Sequence, residues 1–173
     1  MSWEIEAART SVEFSVRDRV VVNLKGRFNK VSGTIDLDEE DLTRTTISVE
    51  IDVASIYTAH ERRDGVLRGP DYFDAEAFPV ITYKSRRIQR HGDRYRIIGD
   101  MTIKDVTREV VLDCDFLGVA TDLRGRTRAG FSAVATINRQ DFGVIGLAEH
   151  EADDTVRILL EVSAAKREQT VAS

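Results

Sequence analysis

The sequence predicts an all-β domain of roughly eight to ten antiparallel strands, arranged as a barrel or a sandwich. Two observations carry this prediction: apolar and polar residues alternate along most of the chain, and turn-forming residues separate the alternating runs. A third is size, because 173 residues suit one domain with a single core.

Val12, Phe14 and Val16 face one way, with Ser11, Glu13, Ser15 and Arg17 opposite. Ile47, Val49, Ile51 and Val53 repeat the pattern against Ser48, Glu50 and Asp52. Ile81 and Tyr83 continue it after Pro79, which suits the start of a strand. Val110, Leu112, Cys114 and Phe116 follow, then Phe131, Ala133, Ala135 and Ile137, and finally Val156, Ile158, Leu160 and Val162. Turns are expected at Gly33, Asp38–Asp41, Gly92-Asp93, Lys104-Asp105, Gly118 and Gly125.

One connection breaks the alternation. Thr58-Ala59-His60-Glu61 has the form of a capping box, a hydroxyl at the N-cap and a glutamate three residues on. It predicts a helix from Ala59 to Arg68, weakened by about 1 kcal/mol at Gly65 and stopped by Pro70. Asp71 then caps a second short turn through Tyr72-Phe73-Asp74. A barrel of about eight strands has an interior just wide enough to be filled by side chains or to hold one small ligand. Its inward set here is mostly aliphatic, with small residues such as Ala133, Ala135 and Gly99 among it. Small residues either interlock with large neighbours or leave room, so a filled core and a cavity both fit.

Composition narrows the function. The chain is 42% hydrophobic with a mean hydropathy of -0.27, and no apolar run reaches the ~18–20 residues of a helical membrane span. A net charge of -5 speaks against nucleic-acid binding through the overall field, and the arginines are scattered. The tightest groups, Arg86-Arg87 with Arg90 and Arg124/Arg126/Arg128, flank expected turns and read as solvated hairpin ends. Acids stand in Met1–Glu6 where a signal peptide carries bases and then an apolar run, so a cytoplasmic location is expected. Cys114 is alone, which leaves no internal disulfide.

The catalytic inventory is thin. His60-Glu61-x-x-Asp64 and His150-Glu151-x-x-Asp154 resemble a zinc motif but carry aspartate where the second imidazole belongs. His91 precedes a turn glycine and reads as solvated. Asp36-x-Asp38 with Glu39-Glu40-Asp41 lacks the glycine and distal glutamate of an EF-hand loop and reads as a charged hairpin. Cys114 falls on an apolar strand face, as a buried inert thiol does. No nucleophile elbow, phosphate loop or dinucleotide fingerprint is present, and no catalytic residue, metal or cofactor is assigned.

The order of short motifs is more telling. Ala54-Ser55-Ile56-x-Thr58, Arg63-Asp64-x-x-Leu67, Asp71-Tyr72-Phe73-Asp74 and Phe78-Pro79-x-Ile81 succeed one another. Trp3-x-Ile5, Val12-x-Phe14-x-Val16, Gly26-Arg27-Phe28 and Gly33-x-Ile35 precede them. Gly99-Asp100-Met101-Thr102-Ile103, Val106-Thr107, Gly130-Phe131-Ser132-Ala133 and Ile137-Asn138-Arg139-x-Asp141-Phe142-Gly143 follow. From Trp3 to about Val162 this set resembles the YceI-like family of lipid- or polyisoprenoid-binding proteins.

The resemblance implies an extended antiparallel eight-stranded lipocalin-like β-barrel with a short helical insertion around residues 59–74. It implies a single barrel domain over residues 1–165 and a polar C-terminal tail over 166–173. Family members enclose a long apolar pocket for isoprenoid chains, quinones or other amphiphiles. On that likeness Phe14, Val16, Phe28, Val49, Ile51, Ile81, Phe131, Ala133 and Ile137 are the expected pocket residues, and Arg63 with Asp64 is expected to be an ion pair anchoring the helical segment. The expected partner is a long-chain isoprenoid or lipid, held without enzymatic chemistry for binding, transport or storage; nucleic acid and stable membrane insertion are not expected. The resemblance also allows a homodimer, through an edge strand paired across a two-fold axis as in some relatives. Arg9, Asp18 and Val66 stand where relatives often carry histidine, and Val144–Asp154 is short and polar, so no headgroup contact is carried over. Two alternatives remain: a filled-core interaction module linked to stress, and an enzyme acting on a lipid inside the barrel.

Overall fold

The structure, a computed structural model, describes residues 2–18, 23–144 and 152–167. Its strands are β1 (Ser2–Ile5), β2 (Ser11–Asp18), β3 (Asn23–Phe28), β4 (Val31–Asp36), β5 (Thr46–Asp52) and β6 (Ile56–Tyr57). After helix α1 (Glu61–Arg68) come β7 (Val80–His91), β8 (Arg94–Ile103), β9 (Val106–Thr121), β10 (Thr127–Asn138) and β11 (Ala152–Lys166).

All pairings are antiparallel, and the order β1-β4-β5-β7-β8-β9-β10-β11 returns to β1 through Trp3↔Lys166 and Ile5↔Ala164. The sheet therefore closes as an eight-stranded barrel. β2, β3 and β6 prolong β1, β4 and β5 beyond a kink: β2 pairs with β11 further along, β3 with β2, and β6 with β3. Eleven strands thus make eight staves, three of them broken in two.

Each break has its backbone groups satisfied, as buried amides require. A 3-10 turn at Ala7–Arg9 separates β1 from β2, and Glu6 N donates to Ser163 O at 2.8 Å beside it. Another at Val53–Ser55 separates β5 from β6, with the Asp52 carboxylate capping Ala54 N. The bend at Asn29-Lys30 is tied to that turn: Asn29 N donates to Ser55 O and Lys30 N to Ser55 Oγ.

The up-and-down order sorts the connections between two ends. Ser2, the charged β4–β5 turn, the Gly92 hairpin and the β9–β10 turn lie at one; α1, the β8–β9 turn and Arg139–Val144 lie at the other. At the first end Trp3, Leu37, Ile88, Ala129 and Ala164 fill the interior, none more than 8% exposed. The charged turn is self-contained, because the Asp38 carboxylate accepts from Glu40 N and Asp41 N. Arg128 ties the same end together, pairing with Glu6 at 2.8 Å and with Asp122. Burial raises the Glu6 carboxyl, but its bonds from Arg128 and Ser163 outweigh this and hold it below the ordinary carboxylate value.

Three local expectations are corrected. Gly33 and Gly118 lie inside β4 and β9 rather than at turns. A Cβ at Gly33 would sit 2.3 Å from Ser48 O, so the position needs close backbone approach, while Gly118 stands beside a register shift opposite Gly130/Phe131. The capping box also fails: α1 starts at Glu61 with His60 as N-cap, its Nδ1 accepting from Arg63 N, and Ala59 takes φ +62°. The Thr58 hydroxyl is claimed instead by the Asp64 carboxylate. At the C-terminus β11 runs through Lys166, and Arg167 N donates to Ser2 O.

Gly99 admits the Tyr83 ring across the β7–β8 pair. A Cβ there would lie 2.5 Å from Lys84 O and 2.7 Å from the ring. Backbone cannot yield as a flexible side chain does, so Gly99→Ala should lower stability by about 1–3 kcal/mol in denaturant unfolding. An unchanged midpoint would show that the pair of strands separates freely.

Candidate functional site

Closing eight staves leaves an interior, and sequence decides whether it is full. The inward residues of β2, β5, β7, β10 and β11 are apolar at alternate positions, with Ala133 and Ala135 contributing little volume. Above the packed end, an apolar cavity of about 270 Å³ remains. All nine residues expected from the family likeness line it: Phe14 and Val16 from β2, Phe28 from β3, Val49 and Ile51 from β5, Ile81 from β7, and Phe131, Ala133 and Ile137 from β10. Six of them are buried, while Phe14, Val49 and Ile137 are partly exposed.

Aromatic rings set the walls. Phe14 and Phe28 meet at 5.5 Å between centroids, and Phe116 and Phe131 at 5.2 Å. Phe28 in turn meets Phe73 edge-on at 5.9 Å, which joins the sheet to the connection after α1. Leu67 of α1 with Tyr72 and Phe73 of that connection line the cavity, so the helical insertion roofs the barrel at this end. Val66 also lines it while standing 50% exposed, so the cavity reaches solvent beside α1.

The roof is fixed by a polar knot at Thr58, which is buried together with Asp64. Asp64 accepts from Thr58 N at 2.9 Å and from Thr58 Oγ1, while Arg63 donates from Nε to Thr58 Oγ1 at 2.9 Å and from Nη2 to Thr58 O at 2.8 Å. The expected Arg63–Asp64 ion pair is therefore replaced by two partners that meet on one threonine. Arg68 adds a bond from Nε to Ala54 O at 3.0 Å.

The nine residues expected from the family likeness leave out several liners, among them Tyr83, which the alternation already placed with Ile81. Tyr83 lies two residues past Ile81 on the same face, and its hydroxyl reaches Val110 O at 2.9 Å and Ile97 O at 3.2 Å. Burial first, then the charge of Asp100, raises its pKa strongly. Met101 and Ile97 of β8 were obscured because Ile97 and Ile98 are both buried next to the β7 register shift. Arg63 and Arg139 line the roofed end, and Arg139 Nη1 donates to Val144 O at 2.9 Å. No periodic pattern marks a charged side chain as a cavity liner.

Cys114 also lines the cavity, 2% exposed, and burial with the charge of Asp115 pushes its thiol up to about 12. A thiol so displaced is not a nucleophile near neutral pH. Among the described residues no three His, Cys, Asp or Glu side chains gather as metal ligands. His60 is engaged as a helix cap, while His150 and most of the Val144–Asp154 segment lie outside the described residues.

Comparison with known proteins matches this architecture. The model of the YceI-like domain matches residues 3–164. A UPF0312 protein of Photorhabdus laumondii is 34% identical over 138 residues, 78% of this chain and 72% of its own length. The crystal structure of a Campylobacter jejuni YceI protein superposes with a TM-score of 0.74 at 29% identity, covering 86% of this chain and 88% of that one. A polyisoprenoid-binding domain from Saccharophagus degradans superposes with a TM-score of 0.69 at 16% identity, covering 95% and 98%, a likeness of fold.

Asp64→Ala strands the Thr58 amide and hydroxyl without their acceptor in a buried place. It should cost about 2–3 kcal/mol in equilibrium unfolding. Proteolysis between residues 58 and 79 should also speed up, and an unchanged cleavage rate would show that the knot does not hold the roof.

Proposed function

The chain belongs to the YceI-like family, and on that premise we propose that it binds one long-chain apolar amphiphile inside the barrel, without catalysis, for transport or storage. A polyisoprenoid, an isoprenoid quinone or a fatty lipid meets the chemistry. The carrying observation is the apolar cavity roofed by α1 and open beside Val66. Each buried CH₂ contributes about 0.8 kcal/mol, so a long chain binds tightly with few polar contacts. A polar headgroup then lies toward the roofed end, where Arg63 and Arg139 are the lining arginines.

Support comes from three sides. The Saccharophagus degradans neighbour is described as polyisoprenoid-binding and shares the barrel. A cavity speaks against the filled-core alternative. Among the described lining residues, the two displaced titrations, Tyr83 and Cys114, both move away from neutrality, which favours a binder over a catalyst.

Mass spectrometry of an organic extract from freshly purified protein, against a mock purification, tests the proposal. A stoichiometric isoprenoid, quinone or fatty amphiphile is expected. A clean extract together with no thermal shift from a lipid panel would overturn it, since a ligand of the folded state must stabilise that state. Phe131→Trp fills the cavity from the β10 wall and should abolish uptake of a fluorescent fatty amphiphile while the protein stays folded. Unchanged uptake would remove Phe131 from the binding surface.

A further inference from the structure

The outer wall of the roofed end differs from the rest of the barrel. On the β7–β9 wall three outward arginines are matched across strands: Arg94 with Asp115 at 2.7 Å, Arg96 with Asp113 at 3.5 Å, and Arg86 with Asp100 and Glu109. On β11, β2 and β3 the pattern changes. Val156, Val16 and Leu24 line the cavity, and their neighbours Arg157, Ser15 and Lys25 form an adjacent cross-strand row, through the registers Arg157↔Ser15 and Ser15↔Lys25. The next row holds Leu159, Glu13, Arg27 and Tyr57.

These rows line an outer groove of about 540 Å³, bounded on the α1 side by Tyr57, Thr58 and Ala59. It carries three cations and one acid, Glu13, in a chain whose net charge is -5. Arg27 is held, its Nε donating to Asn29 Oδ1 at 2.8 Å and its guanidinium 4.8 Å over the Tyr57 ring. The side chains of Lys25 and Arg157 make no hydrogen bond or ion pair among the described residues, and both residues are exposed. The small Ser15 between them leaves their charges accessible from one side.

We propose that this groove seats the roofed end of the barrel on a membrane surface carrying anionic phospholipids. The charge sign selects that occupant. Lysine and arginine gain from the negative surface potential of such a bilayer, and tyrosine is favoured at the headgroup level. Tyr57 is 43% exposed beside the cations, and Leu159 borders them. The motive rests on the cavity reading above: an amphiphile sparingly soluble in water is exchanged where the cavity opens against a bilayer. Glu13 and Phe14 line both the cavity and the groove, so a single strand, β2, separates the binding space from the docking face.

Cosedimentation of the full chain with vesicles tests this, using phosphatidylcholine alone or mixed with phosphatidylglycerol, at low and high salt. Binding is expected only with phosphatidylglycerol, and it should be lost at high salt. Lys25→Gln and Arg157→Gln should each weaken it about fivefold. Arg94→Gln, at a matched pair on the other wall, should leave it unchanged. No binding to the anionic vesicles, or binding indifferent to both groove substitutions, would overturn the proposal. So would chemical-shift changes at the groove with inorganic phosphate when vesicles do not bind, which would make it a small-anion site. A clean lipid extract with no thermal shift from the lipid panel, alongside intact vesicle binding, would sink the cavity reading and leave the docking face standing; the reverse result would do the opposite.

Discussion

The closure of β1 on the end of β11 is the constraint from which the interior follows. Only a few residue pairs, Trp3↔Lys166 to Ile5↔Ala164, turn a twisted sheet with two edges into a barrel with none at that seam. The seam is reinforced where the chain kinks, since Glu6 N bonds Ser163 O and the Glu6 carboxylate holds Arg128 of β10. Behind it Trp3 is 1% exposed, so the residue that joins the seam also plugs the interior beneath it. The packed foot and the hollow above it have one cause.

Hollow and foot are both apolar, and the foot is where large side chains close over small ones. Trp3, Leu37 and Ile88 interdigitate below, whereas Ala133 and Ala135 alternate on β10 above, opposite walls already spaced by the barrel's diameter. The roof then needs polar chemistry that an apolar interior cannot supply. Thr58 provides it by offering an amide, a hydroxyl and a carbonyl to Asp64 and Arg63 at one place. Two charges are thereby kept at the mouth of an apolar space, each with hydrogen-bonding partners.

Much of this was legible in the chain. Strict alternation named six of the strands, and the order of short motifs named the barrel and nine of the many residues that line the cavity. What stayed hidden depends on contacts between segments distant in sequence. The staves broken at Ala7–Arg9 and Val53–Ser55 show no breaker residue, because the kinks are stabilised by partners such as Ser163 and Pro79 O rather than by local propensity. Gly33 looked like a turn for the same reason: its need is for room against Ser48 O, which one strand alone cannot reveal. Thr58 read as a cap because its competitor, Asp64, lies one turn away on the helix it was expected to start.

The distribution of the breaks makes the molecule mechanically lopsided. β10 and β11 share an uninterrupted ladder from Arg128↔Ala165 to Asn138↔Thr155, a keel along one side. The three staves that follow β11 around the barrel are each jointed at the same height. Swelling to accommodate a bulkier guest is therefore a hinged displacement of β2, β3 and β6 about those joints, with the keel and foot left in place. Such joints would set the width of the chamber and leave its depth to the foot.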